Sequence, residues 1–278
     1  MALGENNFKF KISVLNNFCR GAKVRGMEQV IIEDMGAWVK ITLNRPQAKN
    51  ALNTDVLARV AGALSGAATR PEIRAALICG ADGNFAAGAD IAEIESKTSA
   101  EGAIDPRKGH WAAIRAFPKP LIAAIDGFAL GGGLELALMA DMIVLGADAK
   151  IGLPETNLGL IPGAGGAQRL LALIGRARAT RLVMGGEIID ASTAYAWGIA
   201  GWLANGPALP EAEALIVRTC KRAPLALQAA KAALVEGDEK ALALPEERLA
   251  FERLLNTADK TEGIRAFRDK RKPEFRGE

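Results

Sequence analysis

The sequence is poor in the side chains on which many hydrolytic enzymes depend. Its 278 residues include one histidine, His110, and one tyrosine, and aromatic residues make up 5% of the chain. A Ser-His-Asp triad would have to use His110, and the sequence around it contains no nucleophile turn. A triad hydrolase is therefore disfavoured, and His110 is expected to be a surface or loop residue.

The chain also has few cysteines and no long apolar run. Cys19, Cys79 and Cys220 are scattered, and an odd number without paired spacing argues against a disulfide scaffold or a zinc site. We therefore expect no metal and a reducing, cytoplasmic compartment. No apolar run is long enough to cross a bilayer, so no membrane partner is expected. Half of the residues are hydrophobic, which is enough for one sizeable core or a core with a small subdomain.

The positive charge of the chain is concentrated at its start. The net charge is +3, but residues 1–26 contain five basic residues and one acid, a local +4, which leaves −1 for the rest. A core so close to neutral gives no support for nucleic-acid binding. We interpret residues 1–26 as an extension that is disordered or that precedes a natural start at Met27. A transit-like leader is the alternative.

The order of the predicted elements indicates the fold class. Strands and helices alternate from residue 27 to about residue 205, and helices alone follow. This order predicts an α/β core over residues 27–205 and a helical region over residues 206–278. The predicted C-terminal helices carry apolar residues on all sides, which suggests that they pack on another subunit.

The most informative stretch runs from residue 121 to residue 166. A predicted strand at 121–125 is followed by three glycines at 131–133 and a predicted helix at 134–140, which contains one carboxylate, Glu135, among apolar residues. Burying an unpaired carboxylate is costly, but the free N–H groups and the dipole of a first helical turn favour an anion. The alternative is that Glu135 caps its own helix.

A second carboxylate lies in the same stretch. Glu155 follows Pro154 and precedes the glycine-rich segment 162–166. A surface turn is the alternative, but the apolar and glycine-rich surroundings favour backbone that approaches a ligand closely. We therefore predict that Glu135 and Glu155 face one pocket lined by glycine backbone.

Two loops of small residues, 88–90 and 131–133, precede predicted helices and offer N–H groups that lack helical partners. They have neither the spacing of a dinucleotide fingerprint nor that of a P-loop. Two N–H groups directed at one oxygen form an oxyanion hole. Two acids beside such a hole suit the addition or removal of water next to a thioester carbonyl.

Three segments carry a resemblance to a known family. FAAGADI (85–91), ALGGGLELALMAD (129–141) and GLPETNLGLIPGAGGAQRL (152–170) resemble signatures of the enoyl-CoA hydratase/isomerase, or crotonase, superfamily. The likeness extends from about residue 28 to the end, and it is strongest to bacterial short-chain hydratases. It implies a ClpP/crotonase-like spiral of ββα units whose C-terminal helices build homotrimers, commonly paired into hexamers.

The resemblance also implies an activity. A chain with both acids should be an enoyl-CoA hydratase, a hydro-lyase that adds water syn across the 2,3 double bond of a trans-2-enoyl-CoA. Fatty-acid β-oxidation and phenylacetate degradation are the pathways that it suggests. Coenzyme A is then part of the substrate, and no separate cofactor is expected.

Residue roles are implied by position in the matching motifs. The catalytic acids would be Glu135 and Glu155, and the oxyanion N–H groups those of Ala89 and Gly132. The residues implied or suggested to contact the CoA or acyl part are Arg45, Ala48, Ala87, Asp90, Ile91, Trp111, Leu130, Pro162, Gly163, Phe267 and Lys270. Phe117 and Ile161 are further candidates for the acyl pocket, with plain core packing as the alternative.

Three alternatives remain open. An enoyl-CoA isomerase would need only one acid, so the presence of two disfavours it. Another CoA-thioester lyase of this fold is a further alternative. A non-catalytic or RNA-associated member of the fold is disfavoured by the near-neutral core.

Overall fold

The computed structural model describes residues 28–241 and 244–274, so the predicted extension over residues 1–26 lies outside the described residues. The strands are β1 (Val30–Asp34), β2 (Trp38–Leu43), β3 (Ala75–Gly80), β4 (Leu121–Ile125), β5 (Phe128–Leu130), β6 (Met142–Leu145), β7 (Lys150–Gly152), β8 (Ile188–Asp190) and β9 (Trp202–Leu203). The helices are α1 (Thr54–Ala68), α2 (Ile91–Glu95), α3 (Ser99–Ala103), α4 (Arg107–Arg115), α5 (Gly132–Ala137), α6 (Gly166–Val183), α7 (Ala191–Ala196), α8 (Ala208–Cys220), α9 (Pro224–Ala241), α10 (Leu244–Leu254) and α11 (Ala258–Arg268). Every described helix is too short or too polar to cross a bilayer.

The strands form two sheets. The larger has the order β1-β2-β3-β4-β6-β9, in which β1 and β2 are antiparallel and the other pairs are parallel. The smaller has the order β5-β7-β8. Strands β3 and β4 are almost wholly buried, as expected for parallel strands covered on both faces.

Several predicted elements are confirmed. The apolar runs at 121–125 and 142–145 predict strands, and β4 and β6 have these bounds. The β-rich runs at 29–33 and 37–43 predict a hairpin, which β1 and β2 form. Helix α1 begins after Asn53, whose side chain accepts a 2.8 Å hydrogen bond from Val56 N–H. Such a cap satisfies one of the free N–H groups at a helix start.

Two features differ from the sequence expectation. Helix α5 begins at Gly132, two residues before the predicted start, because Gly131 takes a positive φ of 49° and turns the chain into the helix. The strands of the smaller sheet, β5, β7 and β8, have three residues each, and no pattern of that length was identifiable in the sequence.

The C-terminal helices pack on the core in two places. Helix α8 covers the larger sheet, and its Leu215 and Ile216 share a hydrophobic cluster with Leu77 and Val144. Helix α11 packs on a short 3-10 helix at Pro154–Leu158. A Cβ built at Gly263 of α11 would be 2.8 Å from Leu158 Cα, so this contact is close. The division at residue 205/206 remains a prediction.

Candidate active site

The start of α5 packs closely against the segment that follows β3. A Cβ built at Gly133 would be 2.1 Å from Ala86 O, and one at Gly132 would be 3.5 Å from Ala89 N. Ala86 also pairs with Ala129 through a parallel bridge. The two predicted loops of small residues therefore meet, as an oxyanion hole requires.

The backbone of Ala89 is oriented by its neighbours. Leu52 N–H donates to Gly88 O (2.8 Å), and Asp90 N–H donates to Leu52 O (2.9 Å). In such a parallel bridge the residue between the two bonded groups directs its own N–H away from the partner strand. Ala89 therefore turns its N–H away from Leu52, on the side where Gly132 lies.

Glu135 is buried in α5, with 4% of its surface exposed. Its Oε1 accepts hydrogen bonds from Ala164 N–H (2.7 Å) and Gly166 N–H (3.0 Å). These donors belong to the glycine-rich loop before α6, so Glu135 is held by a distant segment as well as by its place in a first helical turn. Burial raises the pKa of Glu135, and the N–H groups of Ala164 and Gly166 oppose that rise.

Arg169 acts on the same loop. Its Nη1 donates a 2.8 Å hydrogen bond to Ala164 O, and its charge also works to lower the pKa of Glu135. The guanidinium therefore helps to fix the peptide whose N–H group reaches the carboxylate.

Glu155 reaches the same region from the 3-10 helix at Pro154–Leu158. A Cβ built at Gly131 would be 3.0 Å from Glu155 Oε1, so the carboxylate lies directly against the residue that starts α5. Its Oε2 is buried. Both acids line one cavity of about 720 Å³, as predicted.

Most of the predicted contact residues also line this cavity. They are Ala48, Ala87, Ala89, Ile91, Trp111, Leu130, Gly132, Gly163 and Phe267. Ile161 lines it too, whereas Phe117 is 2% exposed and belongs to the main hydrophobic core. His110 is half-buried on α4.

Four predicted contact residues lie outside the cavity lining: Arg45, Asp90, Pro162 and Lys270. Arg45 Nη2 and Asp90 Oδ2 form a 2.8 Å ion pair, and Arg45 Nη1 donates to Ala51 O at 2.6 Å. This pair ties the loop after β2 to the segment at the start of α2. Pro162 is buried, and Lys270 is exposed beyond α11. Their predicted CoA contacts remain predictions.

Several cavity residues were missed by sequence reasoning. Lys49, Arg107, Arg248 and Phe251 all line the cavity. The signal for Arg107 was its spacing of four residues from Trp111 on one helix, which places both side chains on one face. No local signal places Arg248 and Phe251, because α10 reaches the site only through tertiary packing. Among the described residues, no group of three histidine, cysteine or acidic side chains is arranged to hold a metal ion.

Comparison with known proteins agrees with this geometry. The sequence pattern of the enoyl-CoA hydratase/isomerase family matches residues 33–278. The chain is 43% identical to 2,3-dehydroadipyl-CoA hydratase of Escherichia coli strain K12 over 90% of this chain and 100% of that protein. It is 36% identical to crotonyl-CoA hydratase of Syntrophomonas wolfei over 89% and 98% of the two chains.

Solved structures show the same fold. The carnitinyl-CoA hydratase of Mycobacterium avium superposes with a TM-score of 0.80 at 35% identity, over 91% of this chain and 100% of that one. OdaA of Pseudomonas aeruginosa superposes with a TM-score of 0.80 at 31% identity, over 86% and 98%. The chain therefore belongs to the enoyl-CoA hydratase/isomerase family and has the crotonase fold.

Proposed function

We propose that this protein is an enoyl-CoA hydratase, which adds water to a trans-2-enoyl-CoA and gives a 3-hydroxyacyl-CoA. The observation that carries the proposal is that Glu135 and Glu155 line one cavity beside the backbone of Ala89 and Gly132. The hydratases among its relatives support the same reaction.

In the proposed reaction both acids act on one water molecule. One carboxylate accepts a proton as the water oxygen bonds to C3 of the acyl chain, and the other acid delivers a proton to C2. Because both groups are held on the same side of the substrate, H and OH add to the same face. A double-bond isomerase needs to move one proton with one acid, so the second acid favours hydration.

The negative charge that develops during addition needs a partner. Addition at C3 pushes electrons onto the thioester oxygen, and we assign the N–H groups of Ala89 and Gly132 as its donors. Such preorganised donors are typically worth about 3–4 kcal/mol each in the barrier. The close approach of Gly132 to Ala89 N supports this assignment.

The CoA part is proposed to lie along the residues at the cavity mouth. Ala48, Ala87 and Ile91 come from the loop after β2 and the start of α2, and Phe267 comes from α11 of the same chain. The Arg45–Asp90 pair, which lies outside the cavity lining, would then hold that loop in position. Lys270 is proposed to reach the CoA phosphates, and a cytoplasmic location remains a prediction.

The assembly is proposed to be a homotrimer or a pair of trimers. Helix α9 supports this because Leu225 and Leu234 are 78% and 73% exposed in the single chain. Large exposed apolar side chains on one helix commonly mark a subunit interface.

Hydration of crotonyl-CoA, followed by loss of the enoyl-thioester absorbance, tests the proposal. Glu155→Gln should lower kcat by about 100- to 10,000-fold, the usual effect of removing a general acid or base. Binding of a CoA thioester should persist. Glu187→Gln is the matched control, because Glu187 pairs with Arg181 at the surface and lies outside the cavity lining. Unchanged hydration by Glu155→Gln would refute the role of Glu155, and no hydration by the parent protein would refute the activity.

A further inference from the structure

One region of the cavity wall carries two positively charged side chains that have no role in the proposed hydration step. Beyond the two acids and Lys49, the charged residues that line the cavity are Arg107 of α4 and Arg248 of α10. Arg107 is 5% exposed, and its neighbour on the same helical face, Trp111, also lines the cavity. Removing a guanidinium from water is costly unless the group is paired, so the partners of these arginines determine what they can still bind.

The two arginines belong to neighbouring ion-pair networks, one around Asp105 and one that joins α4 to α10 through Glu252. Arg248 Nε and Lys108 Nζ both donate to Glu252 Oε1, at 2.8 and 2.9 Å. Lys108 follows Arg107 directly in α4. The carboxylate of Glu252 therefore brings the first turn of α4 close to α10.

The same wall continues to the catalytic region. Phe251, three residues after Arg248, has its ring against Gly163, where a built Cβ would be 2.8 Å from Phe251 Cγ. The next residue, Ala164, donates its N–H to Glu135. The cavity surface thus passes from the acid at the reacting end, over Gly163 and the Phe251 ring, to the guanidinium of Arg248.

Among the described side chains, the two networks together contain more positive than negative charge. Asp105 accepts from Arg107 Nε (2.8 Å) and from Lys97 Nζ (2.7 Å). Burial works to raise the pKa of Asp105, but Arg107 and Lys97 lower it to about 2, so Asp105 is ionised. Glu252 is likewise kept ionised, since Arg248 and Lys108 outweigh the effect of burial on its pKa. Among these described side chains, four cations share two carboxylates.

Asp105 also leaves part of the Arg107 guanidinium for another group. Its described contacts use the Nε and Nη2 edge of the guanidinium, through one carboxylate oxygen. Arginine offers five N–H donors in a planar fork that matches a carboxylate in two parallel hydrogen bonds. The described contacts with Asp105 do not use Nη1, and the residue lines the cavity.

We infer that Arg107 and Arg248 bind a carboxylate at the far end of the acyl chain, so that the preferred substrate is a trans-2-enoyl-CoA whose acyl chain ends in a carboxylate. The two guanidinium groups at an otherwise largely apolar cavity wall are the feature that selects such a chain. This inference rests on the proposed hydratase function, whose substrate class it narrows.

The test compares two six-carbon trans-2-enoyl-CoA thioesters that differ only at the far end, a carboxylate in one and a methyl group in the other. The parent protein should hydrate the carboxylate substrate with the higher kcat/KM. Arg107→Gln should reduce the ratio of the two kcat/KM values by about 30-fold or more, as when one partner of a buried, hydrogen-bonded charge pair is removed. Arg248→Gln should reduce the same ratio. Because both substrates are measured on one preparation, partial unfolding of a variant cancels in the ratio.

Control variants and a binding measurement show whether the preference arises at these two arginines. Arg59→Gln removes the same charge from an exposed pair on α1 and should leave the ratio unchanged. If the arginines instead contact the CoA phosphates, Arg107→Gln will impair both substrates equally, and the inference fails. Binding of the two saturated six-carbon acyl-CoA thioesters, measured by calorimetry, should show the same preference. The binding measurement does not depend on hydration. If neither enoyl substrate is hydrated, the hydratase proposal fails, while the preference for a terminal carboxylate can still be measured by binding.

Discussion

Glu155 Oε1 lies in tight contact with the position that a side chain at Gly131 would occupy. A Cβ built at Gly131 would be 3.0 Å from that oxygen, and Gly131 itself has a φ of 49° and a ψ of −127°. The residue that turns the chain into α5 thereby also sets the position of the second acid. The absence of a side chain at this glycine is required both by the backbone and by the carboxylate.

Gly131→Ala should therefore damage catalysis more than stability. The positive φ costs about 1–3 kcal/mol, and the added methyl group displaces the Glu155 carboxylate. We expect kcat for crotonyl-CoA to fall by up to about 100-fold, which is the effect of a misplacement of about 1 Å. Gly36→Ala is the control, because Gly36 has a φ of 83° and nothing within 4 Å of its built Cβ. Equal losses of kcat in both variants would contradict the contact with Glu155.

Gly166→Ala tests the environment of the first acid. A Cβ built at Gly166 would be 2.9 Å from Glu135 Cγ and 3.1 Å from its Oε1, so the carboxylate must move. A loss of kcat of at least about 10-fold is expected, with a small change in KM, because the displaced group acts in the chemical step. Gly62→Ala in α1 is the control, because nothing lies within 4 Å of its built Cβ. This variant should stabilise the protein by about 0.5–1 kcal/mol. Full activity of Gly166→Ala would show that Glu135 tolerates displacement.

The raised pKa of Glu135 predicts how stability changes with pH. Since burial raises this pKa, the folded protein binds the proton more tightly than the unfolded chain. Between the ordinary glutamate pKa and the raised value, the free energy of unfolding therefore falls as pH rises. Glu135→Gln removes that titration and keeps an oxygen for the N–H groups of Ala164 and Gly166.

Urea unfolding of both proteins across this pH range measures the effect. The variant should gain stability relative to the parent as pH rises, and the difference should become constant above the folded pKa. A difference that is the same at every pH would show that Glu135 titrates normally.

Changes on α9 should separate the subunits. Leu225→Glu combined with Leu234→Glu would place charges in the proposed interface, and light scattering should show a shift from trimer to monomer. Ile104→Glu is the control, because Ile104 is 82% exposed but lies after α3. A parent protein that is monomeric at micromolar concentration would refute the proposed assembly.

The parts of this structure that sequence predicted best are those with local causes. Strands β4 and β6 are continuous apolar runs, and Asn53 caps α1, so short segments determine these elements. The smaller sheet was missed because its strands are three residues long and gain their stability from pairing with distant segments.

The same distinction holds at the site. The sequence motifs identified Glu135 and Glu155, but they did not reveal that Ala164 and Gly166 donate to Glu135. The positions of Arg107 and Arg248 depend on how α10 packs near α4, through a glutamate that serves both helices. Such a contact between residues far apart in the chain leaves no periodic signal in either segment.

Helix α11 supports the turn that carries Glu155, with Gly263 against Leu158 and Lys260 against Gly159. During synthesis the larger sheet and Glu135 emerge from the ribosome well before that support does. A nascent chain would thus complete its reaction centre only after α11 has been synthesised, and a chain that stops before α11 would lack the support for Glu155.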